Sequence, residues 1–190
     1  MTLTVITPPS GEAVPLDAVK DYLRIGHSQE DDLCRALMAS AIAGIEARYP
    51  VAFLSRTLLW QLTRWPDGLS TSGHRLKPMP VQAVTEIRHI DRAGVRTQIT
   101  AKFEQIGSVL RLKAGEALPA LSVGERAEIR FTAGHDRPGD IPQDLQFALI
   151  LQILQAYMRR GSEAESSTDK ANEIKAHGLD LLAPYKEVRV

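Results

Sequence analysis

The spacing of apolar residues changes period twice along this 190-residue chain, and that switch limits the folds open to it. Leu16, Val19 and Leu23, then Leu33, Leu37, Ala41 and Ile45, recur every three to four positions, the period of a helix. Leu58, Trp60 and Leu62 instead alternate with Thr57, Gln61 and Thr63, which is the period of a strand. The helical period returns at Leu145, Leu149, Ile153 and Tyr157. The expected class is α+β. Two N-terminal helices and one long C-terminal helix make a three-helix body, with a small antiparallel β-domain inserted and an extended C-terminal tail. The expected bounds are residues 1–54 for the N-terminal helical part, 55–134 for the β-domain, 135–161 for the third helix, and 162–190 for a polar linker and tail.

Local signals refine these elements. Thr4 to Pro9 is extended, because its two prolines oppose a helix. Pro15 suits a first helical turn and Gly26 the stop of that helix. Ser28 is placed to open the second helix, with Glu30, Asp31 and Asp32 at the positive end of its dipole. Ala36, Ser40 and Gly44 form a small-residue stripe that lets another helix approach closely. Further strands are expected at 81–90, 95–100, 108–112 and 126–132, with Asp91–Gly94 as a hairpin connection.

Composition bounds the function. Hydrophobic residues make up 44% and charged residues 24%, enough for a core, while aromatics are only 5%, so aliphatic side chains must fill it. Net charge is zero, yet residues 1–50 carry 4 basic and 7 acidic side chains and residues 51–100 carry 7 and 3. No concentrated basic footprint marks a nucleic-acid binder. Cys34 is the one cysteine, which excludes an intrachain disulfide and a thiolate metal cluster. The start of the chain lacks a signal-peptide pattern and no apolar run approaches a membrane span, so a soluble protein made in a cytoplasm is expected.

No phosphate loop, dinucleotide glycine motif, nucleophile elbow or zinc-binding His pattern occurs. His135, Asp136 and Asp140 are read as a solvated loop rather than a catalytic cluster, and no catalytic, cofactor or metal residue is assigned. Trp60 is expected in the core of the β-domain. Trp65, at a Trp-Pro-Asp-Gly turn, is open to core or surface. Arg88, Arg92 and Arg96 surround a hairpin tip. Gly178 to Val190 is unusual for a chain end: Leu181, Leu182, Tyr185 and Val190 point to a segment that is buried, on its own domain or on a partner.

Several stretches resemble the head–tail connector (adaptor) proteins of tailed phages, including the version carried by gene transfer agents. Val5-Ile6-Thr7-Pro8-Pro9 precedes Val14–Ile25, similar to that family's "TPP" opening and "V-x-L-x-x-x-K-x-x-L-R" helix. Asp31-Asp32-Leu33, Arg130–Gly134 and Ile141–Leu145 follow in the family's order. Leu181–Val190 is similar to its "LLxPYRxxRV" close, with Lys186 where arginine is common. The resemblance implies a structural subunit of a ring, twelvefold, under the portal at the capsid vertex. That ring joins portal to stopper or tail, and double-stranded DNA transits its lumen without specific binding. It implies residence in the virion neck after synthesis in a host bacterial cytoplasm, with no cofactor and no membrane. Leu181, Leu182, Tyr185, Arg189 and Val190 are then the expected portal contacts, and Leu33, Leu37, Ala41 and Ile45 the expected contacts between subunits. Two other classes remain: a ligand- or carbohydrate-binding module that uses the β-domain, and a hydrolase built on the His135–Asp140 loop.

Overall fold

Six residues at the start of the chain, Thr2–Thr7, are rich in threonine and β-branched side chains and form strand β1. It pairs antiparallel with β2 (Arg56–Leu62), Leu3 opposite Trp60. The computed structural model describes residues 1–159 and 165–186. It divides into a sheet unit, Met1–Ser10 with Ser55–Gly134, and a helical unit, Gly11–Leu54 with His135–Val190. Residues 1–10, read above with the N-terminal helical part, thus belong to the sheet unit. Sequence shows that Thr4–Pro9 is extended, but a strand's partner is set by long-range pairing that no local signal carries.

The sheet unit holds two antiparallel sheets. With β3 (His74–Arg75), β4 (Val81–Ile90), β5 (Arg96–Gln98), β6 (Phe103–Ile106), β7 (Val109–Leu112) and β8 (Arg126–Ala133), the strand orders are β1-β2-β8-β4-β5 and β3-β7-β6. β8 shows why: Ala127, Ile129, Phe131 and Ala133 are buried, and the residues between them are not. Leu58, Leu62 and Ile87 join that face, and Phe103, Leu110 and Leu112 from the smaller sheet complete the core. β4 breaks register between Val81 and Ala83 and again between Val84 and Glu86. Side chains satisfy N–H groups along this irregular strand. Ser108 Oγ accepts from Val81 N (3.1 Å), Gln105 Oε1 from Val84 N (2.7 Å) and Thr100 Oγ1 from Ile87 N (2.8 Å). At the predicted hairpin, Gly94 has φ +84°, and Asp91 Oδ1 accepts from Val95 N at 2.8 Å.

The helical unit contains α1 (Leu16–Leu23), α2 (Asp31–Glu46), α3 (Gln143–Arg159) and α4 (Glu165–Leu181). Pro15 stands at the N-cap of α1, but Gly26 is not its stop. Arg24 takes the left-handed conformation (φ +58°), and Ile25 N donates to Lys20 O at 2.9 Å. That closure brings Ile25 into a small apolar cluster with Leu16 and Cys34. α2 begins after Glu30, which takes the N-cap place expected of Ser28; no side chain caps the helix, and Asp31 N donates to Ser28 O at 3.2 Å in the turn that precedes it. Lys20 Nζ reaches Asp31 Oδ1 at 2.7 Å and ties α1 to the start of α2.

The α+β class stands, but the three-helix body does not: among the described residues there are four α-helices, and the expected linker and extended tail (162–190) contains α4. Helix formation there is supported by packing, not by local hydrophobicity. Ile174, Gly178, Leu181 and Leu182 are spaced i, i+4, i+7 and i+8. Leu182 is fully buried in one cluster with Val19, Met38, Ile45, Leu145 and Leu149. Gly178 is buried too, and a Cβ placed on it would meet Leu151 Cβ at 3.7 Å, an ordinary contact.

Two stability effects follow. Gly178→Ala is expected to stabilise the protein by about 0.5–1 kcal/mol in denaturant titrations, since it restores helix propensity without a clash. Leu182→Ala, which empties a fully buried site, is expected to cost about 2–5 kcal/mol in the same assay.

Candidate functional site

The close of the chain is held by a hydrogen bond between elements 41 residues apart. After α4 the backbone turns through a single 3₁₀ turn, Ala183–Tyr185, with Pro184 in that turn. Tyr185 N donates to Leu182 O (3.1 Å), and Lys186 N to Ala183 O (3.2 Å). The Tyr185 hydroxyl lies 2.8 Å from both carboxylate oxygens of Asp144. Asp144 sits in the first turn of α3, where the helix dipole favours a negative charge. Burial first, and then the Asp144 carboxylate, push the Tyr185 phenol up to about 12.

Residues expected to face two different partners meet in one place. Leu182, Ala41 and Ile45 share the core cluster of the helical unit, and Leu37, Leu181 and Tyr185 pack against it. Ala41 and Ile45 therefore face their own core, and Leu182 is an anchor with no exposed surface. Leu33 is half-buried on α2, outside that cluster. Arg189 and Val190 lie outside the described residues.

Leu37 and Ala41 also border a groove of about 280 Å³ on the helical unit. α2 adds Ser40 and Gly44, with Arg48 just past its end; α3 adds Gln152, Gln155, Ala156 and Arg159, and α4 adds Ile174, Gly178 and Leu179. Ser40 and Gly44 belong to the small-residue stripe visible in sequence, and its third member, Ala36, does not line the groove. Arg48 and Arg159 were not singled out, because their proximity to one groove depends on helices far apart in sequence.

The residues behind the alternative readings do not converge. His135 is half-buried and its ring pKa is lowered by burial, against the opposing charges of Asp140 and Asp136. Both carboxylates are on exposed residues, and the His135 backbone N–H donates to Phe53 O at 3.2 Å. Trp60 stacks on His74 with ring centroids 5.4 Å apart. Trp65 donates from Nε1 to Pro119 O at 2.7 Å and packs against Phe103. Both tryptophans pack against the sheet unit's core, so no row of open rings is offered to a sugar. Arg92 donates to Val123 O at 3.0 Å, which ties the hairpin region to a neighbouring loop. His89 Nε2 lies 3.7 Å from Glu125 Oε2 on the sheet unit. Among the described residues no His/Cys/Asp/Glu group of three or more is arranged to hold a metal. No described helix is long and apolar enough to cross a membrane.

No family model and no curated protein sequence matches the chain. Solved structures do. A chain in the neck of an empty gene-transfer-agent particle, determined with C6 symmetry, is 30% identical with a TM-score of 0.80, covering 100% of this chain and 97% of that one. A chain of a native gene-transfer-agent virion is 31% identical with a TM-score of 0.81 and the same coverage, 100% and 97%. A chain in the neck of a native particle, determined with C12 symmetry, is 30% identical with a TM-score of 0.79, again over 100% and 97%. Likeness at this identity over the whole length, in both units, goes beyond a shared fold. The chain belongs to the head–tail connector (adaptor) family of tailed phages and gene transfer agents, as a structural protein of the virion neck.

Proposed function

We propose that this protein is the connector subunit that forms a twelvefold ring beneath the portal, joins the portal to the stopper or tail, and lets double-stranded DNA pass through its lumen. The observation that carries this reading is the full-length likeness to a neck chain determined with C12 symmetry. Zero net charge suits a conduit, because phosphate contacts would hold DNA in place by an electrostatic term that grows with every cation.

Within this reading the end of the chain is the portal-docking element, and its residues divide the work. Leu182 and Tyr185 anchor α4 and the 3₁₀ turn on the helical unit, and Leu181 packs beside them. Arg189 and Val190, beyond that anchor, contact the portal. Many equivalent tails around one ring make a strong attachment from individually weak contacts.

Truncation separates the two roles. A chain ending at Lys186 is expected to keep its circular dichroism spectrum and melting temperature and to lose binding to the cognate portal ring in a pull-down. A chain ending at Gly178, which lacks Leu182 and Tyr185, is expected to melt at lower temperature. Portal binding by the Lys186-ended chain at wild-type strength would refute the docking role.

The anchor also has a pH signature. The folded Tyr185 pKa of about 12 lies above the usual value of 10.0, so its stabilisation is complete below about pH 10 and is lost as pH rises toward 12. Phenolate absorbance of the folded protein is expected to include a late step that Tyr185→Phe removes. A titration curve that Tyr185→Phe leaves unchanged above pH 10 would contradict the bond.

A further inference from the structure

We propose that the groove framed by α2, α3 and α4 receives helix α1 of a neighbouring copy, so that copies join head to tail around the neck. This rests on the ring reading above and names the surfaces that would form it. Arg48 and Arg159 border the groove, both are exposed, and neither forms an ion pair with another described residue. Small residues share its lining, Ser40, Gly44, Ala156 and Gly178, over which a helix backbone can approach closely.

α1 presents the complementary charge. Leu16 and Val19 are buried, and this leaves Asp17, Ala18, Asp21 and Tyr22 exposed. Asp17 and Asp21 are four apart, hence on one helical face, and neither pairs with a described cation. Tyr22, 42% exposed beside them, is an aromatic group of the kind that anchors interfaces. Two carboxylates on one surface thus face two guanidinium groups on another, the pairing that sets register and partner choice between proteins.

The geometry of a ring selects a second copy as the occupant. No residue of α1 lines the groove, so the knob and the groove are different surfaces of one molecule. Contacts of that heterologous kind generate cyclic rings where the rotation between copies closes, whereas a self-complementary patch would stop at a twofold dimer. The similar neck chain with C12 symmetry is the setting in which one such contact would repeat around an axis.

Charge reversal tests the contact in the full-length chain, supplied to particle-producing cells that lack their own copy. Purified particles are assayed for bound protein by immunoblot and for necks by cryo-electron microscopy. Arg48→Glu with Arg159→Glu, and separately Asp17→Arg with Asp21→Arg, are each expected to lower particle-bound protein about tenfold or more. Circular dichroism and melting of the purified variants are expected to match wild type, since all four side chains are exposed. The fourfold swap, which restores opposite charges across the contact, is expected to recover binding to within about threefold of wild type. Wild-type assembly by either reversed pair, or failure of the swap to recover it, overturns the contact and leaves the ring reading standing. Wild-type necks that hold no ring of this chain overturn the ring reading itself.

Discussion

The helical unit is closed from the far end of its own sequence. Leu182 fills a site in a core whose other members come from α1, α2, α3 and the segment around Phe53. With only 5% aromatic residues in the chain, that core is built of aliphatic side chains, each contributing a modest area. Loss of one fully buried leucine is therefore felt by every helix that packs there. The same burial sets where α4 runs and which wall of the groove it supplies.

A second consequence concerns direction. Tyr185 is held to Asp144, and Asp144 Oδ1 also accepts from Leu145 N at 2.9 Å in the first turn of α3. The phenol donates and the carboxylate accepts at the positive end of a helix, so the bond is charge-assisted and the acceptor is favoured by its surroundings. The bond fixes the 3₁₀ turn to the start of α3.

Strands and helices with strong periodicity were legible in sequence. β4 spans Val81–Ile90 and β8 spans Arg126–Ala133, within a residue of the stretches read from alternation. α4 was not legible, because its first turns, Glu165-Ser166-Ser167-Thr168-Asp169, look like a polar linker and its apolar positions are few. The spacing of Ile174, Gly178, Leu181 and Leu182 was the available signal, and a glycine in the stripe concealed it. Arg24 was missed for a similar reason. Glycine is the expected left-handed residue at a helix end, yet here an arginine two positions earlier takes that role, and Ile25 is drawn into its cluster. Long-range choices, such as β1 beside β2 or Tyr185 on Asp144, leave no local trace at all.

α2 shows why core and interface are hard to separate from one helix's sequence. Cys34, Met38, Ala41 and Ile45 are its buried face, so the four-residue repeat of Ala41 and Ile45 reports the core. Its opposite side is also made of small residues: Ala36, Ala39, Ser40 and Ala43 are all exposed. A solvated helix face has no need of such uniform small side chains, and charged residues there would serve solubility better. Hydrophobicity alone therefore marks two faces of one helix, and only the fold tells which of them is already occupied. Charge then distinguishes what can meet the free one. Of that side Ser40 reaches the groove; Arg48, two residues past α2, and Arg159, the last residue of α3, border the same groove, so an acidic helix is matched there and a basic one is repelled.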